Sequence, residues 1–303
     1  MDNNKRYNNL NDFLKNKFGE RVLKICIDGG FTCPNRDGTC GTGGCIFCGE
    51  RGSGEHLTKS QNIIVSPRPT QKANKFIAYF QNFSNTYADI KTLKMKYDEA
   101  LHNPQIVALA VATRPDCITE EIAQLLKSYS DKYYVYVELG LQTSNNETAK
   151  IINRGYTSDV FTKAVEILNK YEIDIVTHIM VGLPNETIDD IKSTVEFINK
   201  HNIQGLKIHS TYIIKNTKLC ELYESGEYSP LTLEEYIEAA THILTHISPD
   251  IIIHKISGDA PKDLLVAPEW NLHKKWIING ITKKLIQDNL WQGKFFDAEG
   301  HPL

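Results

Sequence analysis

Four of the seven cysteines and four of the nineteen glycines of this 303-residue chain fall between positions 33 and 48. Thiolates gathered on a glycine-rich loop can converge on one soft metal centre, because glycine permits the turns that fold the sulfurs inward. Cys45 and Cys48 form a C-x-x-C hook, a geometry that serves zinc and iron–sulfur clusters alike. A third thiolate would come from Cys33, twelve residues before Cys45, or from Cys40, five before it. There is no second C-x-x-C pair and no His-x-x-x-His nearby, so a closed four-ligand zinc site would need both Cys33 and Cys40. Three ligands leave one metal position open, and an open position is what chemistry requires.

The elements that would hold this loop can be read from periodicity. A strand-like run at residues 22–28 (VLKICID) leads directly into it, preceded by a short amphipathic helix with Leu10, Leu14 and Phe18 four apart. A helical pattern runs from residue 69 through Phe76, Ile77 and Phe80 to about residue 83, and a second lies around 91–101. Beyond these, β-branched apolar runs recur at 106–112, 133–139, 173–181, 205–214 and 251–256, with helical patterns between them. Thr119, Ser158 and Asn185 stand where a side-chain oxygen could cap the following helix, and Thr232 with Glu235 forms a capping box. Strands alternating with helices imply a parallel sheet, since parallel neighbours need a helical crossover. Six strands suit an open, curved α/β barrel of partial (β/α)6 type. No internal repeat or linker is evident, so the expected layout is an N-terminal extension (1–20), one main domain (21–260) and a C-terminal helical extension (261–303).

In a parallel barrel, chemistry collects where strands end, because the loops there face a common mouth. After the second strand come Arg114 and Asp116, able to hold charged groups or to form a Pro115 turn in which Asp116 caps the next helix. Cys117 beside them is either a buried structural thiol or a reactive one facing the site. Glu138 lies inside an apolar strand, which is costly unless the carboxylate is paired. Lys207 and His209 alternate along one strand and so share a face. A catalytic role for His209 competes with that of a satisfied core histidine. Asp259, after a glycine turn, is a further pocket candidate. Trp270, Trp276 and Trp291 are interleaved with Lys274, Lys275, Lys283, Lys284 and Lys294, either as a docking face for structured RNA or as an amphipathic cap on the barrel.

The run GGFTCPNRDGT…GTGGCIFCGERGSGE resembles the cluster loop of radical S-adenosylmethionine (SAM) enzymes, specifically that of the bacterial YhcC/YtqA-like family, a relative of the Elongator catalytic subunit. The long first spacing of that loop is matched by Cys33, Cys45 and Cys48. The resemblance implies a TIM-like partial barrel of the radical SAM type, with these cysteines on a 4Fe–4S cluster and the fourth iron left for SAM. Cys40 departs from the family pattern and is left out of the ligand set. Residues 138–143 (ELGLQT) resemble an E-x-G-x-Q-S/T signature, which carries SAM or pocket contacts onto Glu138 and Gln142. Residues 152–156 (INRGY) resemble a turn whose arginine pairs with the SAM carboxylate, here Arg154. The Met-Val-Gly-Leu-Pro run resembles the element beside the adenine, implicating Met180, Gly182 and Pro184. His178 stands where relatives carry an aspartate on the SAM ribose, and Phe47 where they carry an aromatic against adenine.

The resemblance also implies an external one-electron donor of flavodoxin or ferredoxin type. Kinship with Elongator points to a tRNA wobble-uridine side chain as substrate. A small metabolite or a protein side chain is the alternative, and a zinc-loop adaptor binding RNA or protein is the non-enzyme one. Composition sets bounds. The chain is 41% apolar and 23% charged, as in an ordinary globular protein, and its net charge of −3 gives no global attraction to nucleic acid. The longest apolar run, at 106–112, is too short to span a bilayer, and the first twenty residues lack the apolar core of a secretory signal. Clustered cysteines in odd number fit a reducing cytoplasm better than a disulfide framework.

Overall fold

The computed structural model describes residues 6–52, 54 and 73–296. Helix α1 (Leu10–Phe18) is capped by Asn9, whose side chain accepts from the Asp12 amide, and ends at Gly19, whose φ of 76° suits a residue without Cβ. There follow β1 (Val22–Ile27), β2 (Lys75–Phe80), α2 (Ile90–Ala100), β3 (Ile106–Thr113), α3 (Glu120–Lys127) and β4 (Tyr134–Gln142). The chain continues through α4 (Asn146–Ile151), α5 (Ser158–Lys170), β5 (Asp174–Val181), α6 (Ile188–Asn199), β6 (Gly205–Ser210) and β7 (Ile213–Ile214). It closes with α7 (Lys218–Glu224), α8 (Leu233–His246), β8 (Ile252–Lys255), β9 (Leu265–Ala267) and α9 (Lys274–Gln287).

Seven strands form one sheet in the order β1-β2-β3-β4-β5-β6-β8, parallel throughout. Helix α1 touches both β1 and β8, the two edges, which requires the sheet to curl; the result is an open half-barrel. Alternation along the strands sorts side chains to two faces. Phe76, Leu109, Val111, Val137, Ile175 and Leu206 turn outward into the main core beneath the helices. Ile77, Tyr79, Ala108, Ala110, Ala112, Tyr136 and Val176 turn inward. The three alanines of β3 leave the interior roomy. Leu14 of α1 fills its lower end at 2% exposure, a burial that contributes about 1.5–3 kcal/mol.

The parallel half-barrel matches the expected fold, with one strand more than the six expected. The extra strand is β2, in the stretch expected to be helical; residues 69–72 of that stretch lie outside the described residues. Five of the six β2 residues are buried, so both of its faces are apolar and the period-2 signature disappears. A short run of this kind carries no periodicity that separates strand from helix. The run at 205–214 is also divided: β6 ends at Ser210, and Ile213 and Ile214 pair antiparallel with β9 in a separate two-stranded sheet. Thr119 and Thr232 cap as expected. The caps of α5 and α6 are Thr157 and Thr187 rather than Ser158 and Asn185. Among the described residues no helix is long and apolar enough to cross a membrane.

Candidate active site

The loop after β1 is seated on the turn that follows α4. Asn35 is fully buried, and its Nδ2 donates to the carbonyl of Asn153 at 2.6 Å. Asn153 returns the contact, donating to the carbonyls of Gly44 (2.8 Å) and Thr42 (3.2 Å). The Ile46 amide bonds the Ile152 carbonyl, and the Leu219 amide bonds the Ile46 carbonyl. Ile46 and Phe47 are thereby packed with Ile152, Met180, Leu183, Ile213 and Leu219. Arg36 closes the far side, its Nη2 donating to the Cys48 carbonyl at 3.0 Å. The loop is thus held from both sides by hydrogen bonds to backbone, the kind of support a metal-binding loop needs.

Cys33, Cys45 and Cys48 all line the mouth of one cleft of about 560 Å³. Burial, and then the neighbouring Cys48, push the Cys45 thiol up to about 12, with Cys33 adding to the effect. A bound cation reverses that effect at Cys45, since a coordinating thiol is deprotonated. Among the described residues no three His, Cys, Asp or Glu side chains are gathered as ligands of a metal ion. Cys33 and Cys48 lie near enough to Cys45 to act on its thiol, and all three line the cleft, as suits a cluster that would take each thiolate on a separate iron. The donor set therefore fits an iron–sulfur cluster. Cys40 is exposed and stands outside the cleft lining.

Deeper in, the cleft is polar. Glu138, fully buried in β4, accepts from Tyr79 Oη (2.6 Å), His178 Nε2 (2.8 Å), Lys24 Nζ (3.1 Å) and Lys207 Nζ. Burial alone would raise this carboxyl, but Lys207, Lys24 and the His178 bond hold it well below the usual carboxylate range. Burial draws the Lys207 ammonium down against the opposing pull of Glu138. Burial and Lys207 push His178 down to about 4, so at neutral pH its ring is uncharged and Nε2 is the donor. His209 lies 5.1 Å from His178, ring centroid to centroid, and burial pushes it, like His254, well below the ordinary imidazole value. The ring nitrogens His209 Nε2 and His254 Nδ1 are buried without a hydrogen-bond partner. At the rim Asp259 joins Lys255 and Lys274.

The cleft thus gathers Phe47, Glu138, Gln142, His178, Met180, Lys207, His209 and Asp259 with the three cysteines. Four expected residues stand outside it. Arg154 is fully buried; its Nη1 donates to the carbonyls of Leu141 and Thr143, and its Nε to that of Tyr156. Its Nη2 is buried without a hydrogen-bond partner among the described residues, while carbonyls at the end of β4 and of Tyr156 fix the rest of the guanidinium. Cys117 is buried beside Asp116, and burial first, then Asp116, raises its thiol, which argues against a nucleophile there. Gly182, at φ 87°, accepts from Tyr228 Oη through its carbonyl, and a Cβ on it would meet Leu231. Pro184 is buried in the same turn. Arg114 pairs with Asp116 through two bonds of 2.9 and 2.6 Å and lies over the Tyr156 ring, as Arg154 does from 4.5 Å. Asp116 accordingly serves Arg114, and Thr119 caps the next helix.

Sequence reasoning missed Lys24, Tyr79, His254 and Lys255 as cleft residues. For Lys24 a signal existed: a lone charge in an apolar strand, the argument that singled out Glu138.

Two family models match the chain. One, Radical SAM superfamily, covers residues 38–198; the other, Radical_SAM C-terminal domain, covers 203–287. The protein YtqA of Bacillus subtilis is 37% identical over 300 residues, which are 96% of this chain and 93% of that protein. A tRNA uridine(34) acetyltransferase of Methanocaldococcus infernus is 31% identical over 164 residues, 53% of this chain but 30% of that longer protein. The solved structure of Elp3 from M. infernus superposes with a TM-score of 0.61 at 23% identity, covering 72% of this chain and 55% of that one; at that identity the likeness speaks for the fold. Membership of this family implies a 4Fe–4S cluster and SAM as cofactors. With three thiols of one loop at the mouth of a parallel half-barrel, and family models matched along most of its length, the chain belongs to the radical SAM superfamily.

Proposed function

We propose that this chain is a radical SAM enzyme that modifies a tRNA nucleoside, the side chain of the wobble uridine being the group attacked. The observation that carries the reading is the placement of Cys33, Cys45 and Cys48 in the lining of one cleft that also holds the buried Glu138 and its cationic partners. The 31% identity to a tRNA uridine(34) acetyltransferase supports the RNA substrate; the acetyl transfer in that name is not carried over. Together, a 4Fe–4S cluster and SAM supply a 5′-deoxyadenosyl radical that takes hydrogen from unactivated carbon.

The protein's part is to hold and enclose. Cys33, Cys45 and Cys48 would hold the cluster, while Phe47 and Met180 would give the nucleoside of SAM an apolar flank. Gln142 and the His178–Glu138 pair offer hydrogen bonds to ligand hydroxyl and amino groups. Lys207 Nζ, lowered by burial, can take up or release a proton. His209 and Asp259 complete the polar wall. Helix α1 seals the floor and keeps water from the reacting carbon. An electron donor of flavodoxin or ferredoxin type would approach the cysteine loop, and thiolate-bound iron suits a reducing cytoplasm.

The test is to reconstitute the protein anaerobically, reduce it and incubate it with SAM. About four irons per chain and release of 5′-deoxyadenosine are expected, both lost in Cys45→Ala. One zinc per chain and no SAM cleavage would instead leave a zinc-loop adaptor. The nucleoside substrate is checked by mass spectrometry of tRNA from a deletion strain, where unchanged wobble uridine would remove it. A cleft of about 560 Å³ is also the size of a small-molecule site. In that outcome a metabolite or a protein side chain becomes the substrate.

A further inference from the structure

We infer that the outer face of α9 is a stacking platform for unpaired RNA bases beside the cleft mouth, an inference that rests on the RNA substrate proposed above. The Trp276 indole is 56% exposed and stacked on the His273 ring, with centroids 4.0 Å apart and planes 22° from parallel. An indole left in water in a fixed, flat orientation offers a π-face to a planar partner.

At 100° per residue the helix sorts its side chains cleanly. Ile277, Ile281 and Leu285 are buried against the protein. Trp276, Asn279, Lys283 and Gln287 form an exposed stripe on the opposite side, flanked by the exposed Lys275 and Ile286. Lys275 and Lys283 have no ion-pair or hydrogen-bond partner among the described residues, so their ammonium groups are available to an anion. Residues 261–296 carry six lysines against two aspartates and one glutamate, whereas the whole chain has a net charge of −3. The positive charge is therefore local. Lys274, in the first turn of α9 on its protein-facing side, is tied to Asp259, which Lys255 holds from within the cleft, so the end of the helix that carries Trp276 is anchored at the cleft wall.

The mixture decides the partner. A protein surface complementary to Trp276 and Ile286 would have to desolvate both free lysines, which is costly without carboxylates placed to meet them. A single-stranded loop meets both needs at once, with bases on the aromatic face and phosphates on the lysines. An unpaired base stacked here would hold its neighbours near the cleft, which a buried wobble position in a duplex could not do.

The experiment measures binding of a fluorescent RNA stem-loop of seventeen nucleotides with a seven-nucleotide loop, using the full-length reconstituted protein, by anisotropy at several salt concentrations. Trp276→Ala should weaken binding about tenfold while leaving the melting temperature unchanged, and Trp276→Phe should restore most of it. Lys275→Met and Lys283→Met should each reduce the salt slope by a little under one. Cys45→Ala, without cluster, should bind as the wild type does, so that loss of SAM cleavage and loss of docking are read separately. A fully paired duplex of the same length should bind less tightly than the stem-loop. Unchanged affinity in Trp276→Ala, or equal affinity for duplex and loop, overturns the proposal. So does light scattering in which Trp276→Ala dissociates a dimer while RNA affinity stays the same.

Discussion

Glu138 is a carboxylate with four protein partners at the centre of a barrel, and its energetics follow from what each partner neutralises. Lys207 is the nearest cation and is itself buried. Removing it leaves a buried charge short of compensation, which costs about 3–5 kcal/mol, whereas removing both charges together costs far less. Urea unfolding of Lys207→Met, Glu138→Gln and the double variant should therefore show strong positive coupling; additive losses would mean the pair is independent. Glu186 supplies the pH dependence. Burial pushes its carboxyl up to about 7, although a bond from Thr143 pulls the other way. The folded state thus favours the neutral acid: its contribution is complete below the unfolded value of about 4.5 and is lost as pH rises through about 7. Glu186→Gln should match the wild type at pH 4.5 and exceed it by about 1–3 kcal/mol above pH 7.5, measured as melting temperature against pH. Residue types told part of this story. A lone carboxylate in an apolar strand announced a pairing, and Lys24 obeyed the same rule unnoticed. The three carbonyls that fix Arg154 are brought to it by the chain's path and are invisible in a five-residue motif.

At the scale of elements, the cysteine loop depends on a turn far from it in sequence. Asn153 holds a left-handed φ of 52° and makes two bonds to the loop's carbonyls. Asparagine tolerates that backbone better than most residues. Asn153→Ala should lose both bonds and strain the turn, at a cost of about 1–3 kcal/mol. Iron bound per chain after reconstitution should fall, and cleavage by protease within residues 35–48 should quicken; unchanged iron content would show the loop to be self-supporting. The alternation of strands and helices was legible because crossover helices show a 3.6-residue period and good caps. The β2 strand was not, since burial on both faces erased its period. Nor was the break between β6 and β7, because one apolar run serves two sheets.

At the scale of the whole molecule, the two chain ends close the barrel together. Gln292 is buried; its Oε1 accepts from the Asn8 amide at 2.9 Å, and its Nε2 donates to the carbonyls of Ser248 and Ile251. The Gln292 amide also bonds the Arg6 carbonyl. One side chain thus ties the segment leading into α1 to the strand edge at β8. Gln292→Ala should lower the melting temperature by several degrees, for a loss of about 2–3 kcal/mol, and speed hydrogen exchange over residues 8–14 first. Uniform faster exchange would argue against a local latch. Because α1 stops the barrel at its base, the cavity is a cul-de-sac: whatever arrives first lies beneath whatever arrives second. If the proposed RNA covers the entrance, a nucleotide cofactor must load before it, and the cofactor's fragments can depart only after that RNA lets go. Steady-state kinetics should accordingly be ordered, with 5′-deoxyadenosine competing against SAM and not against the larger substrate.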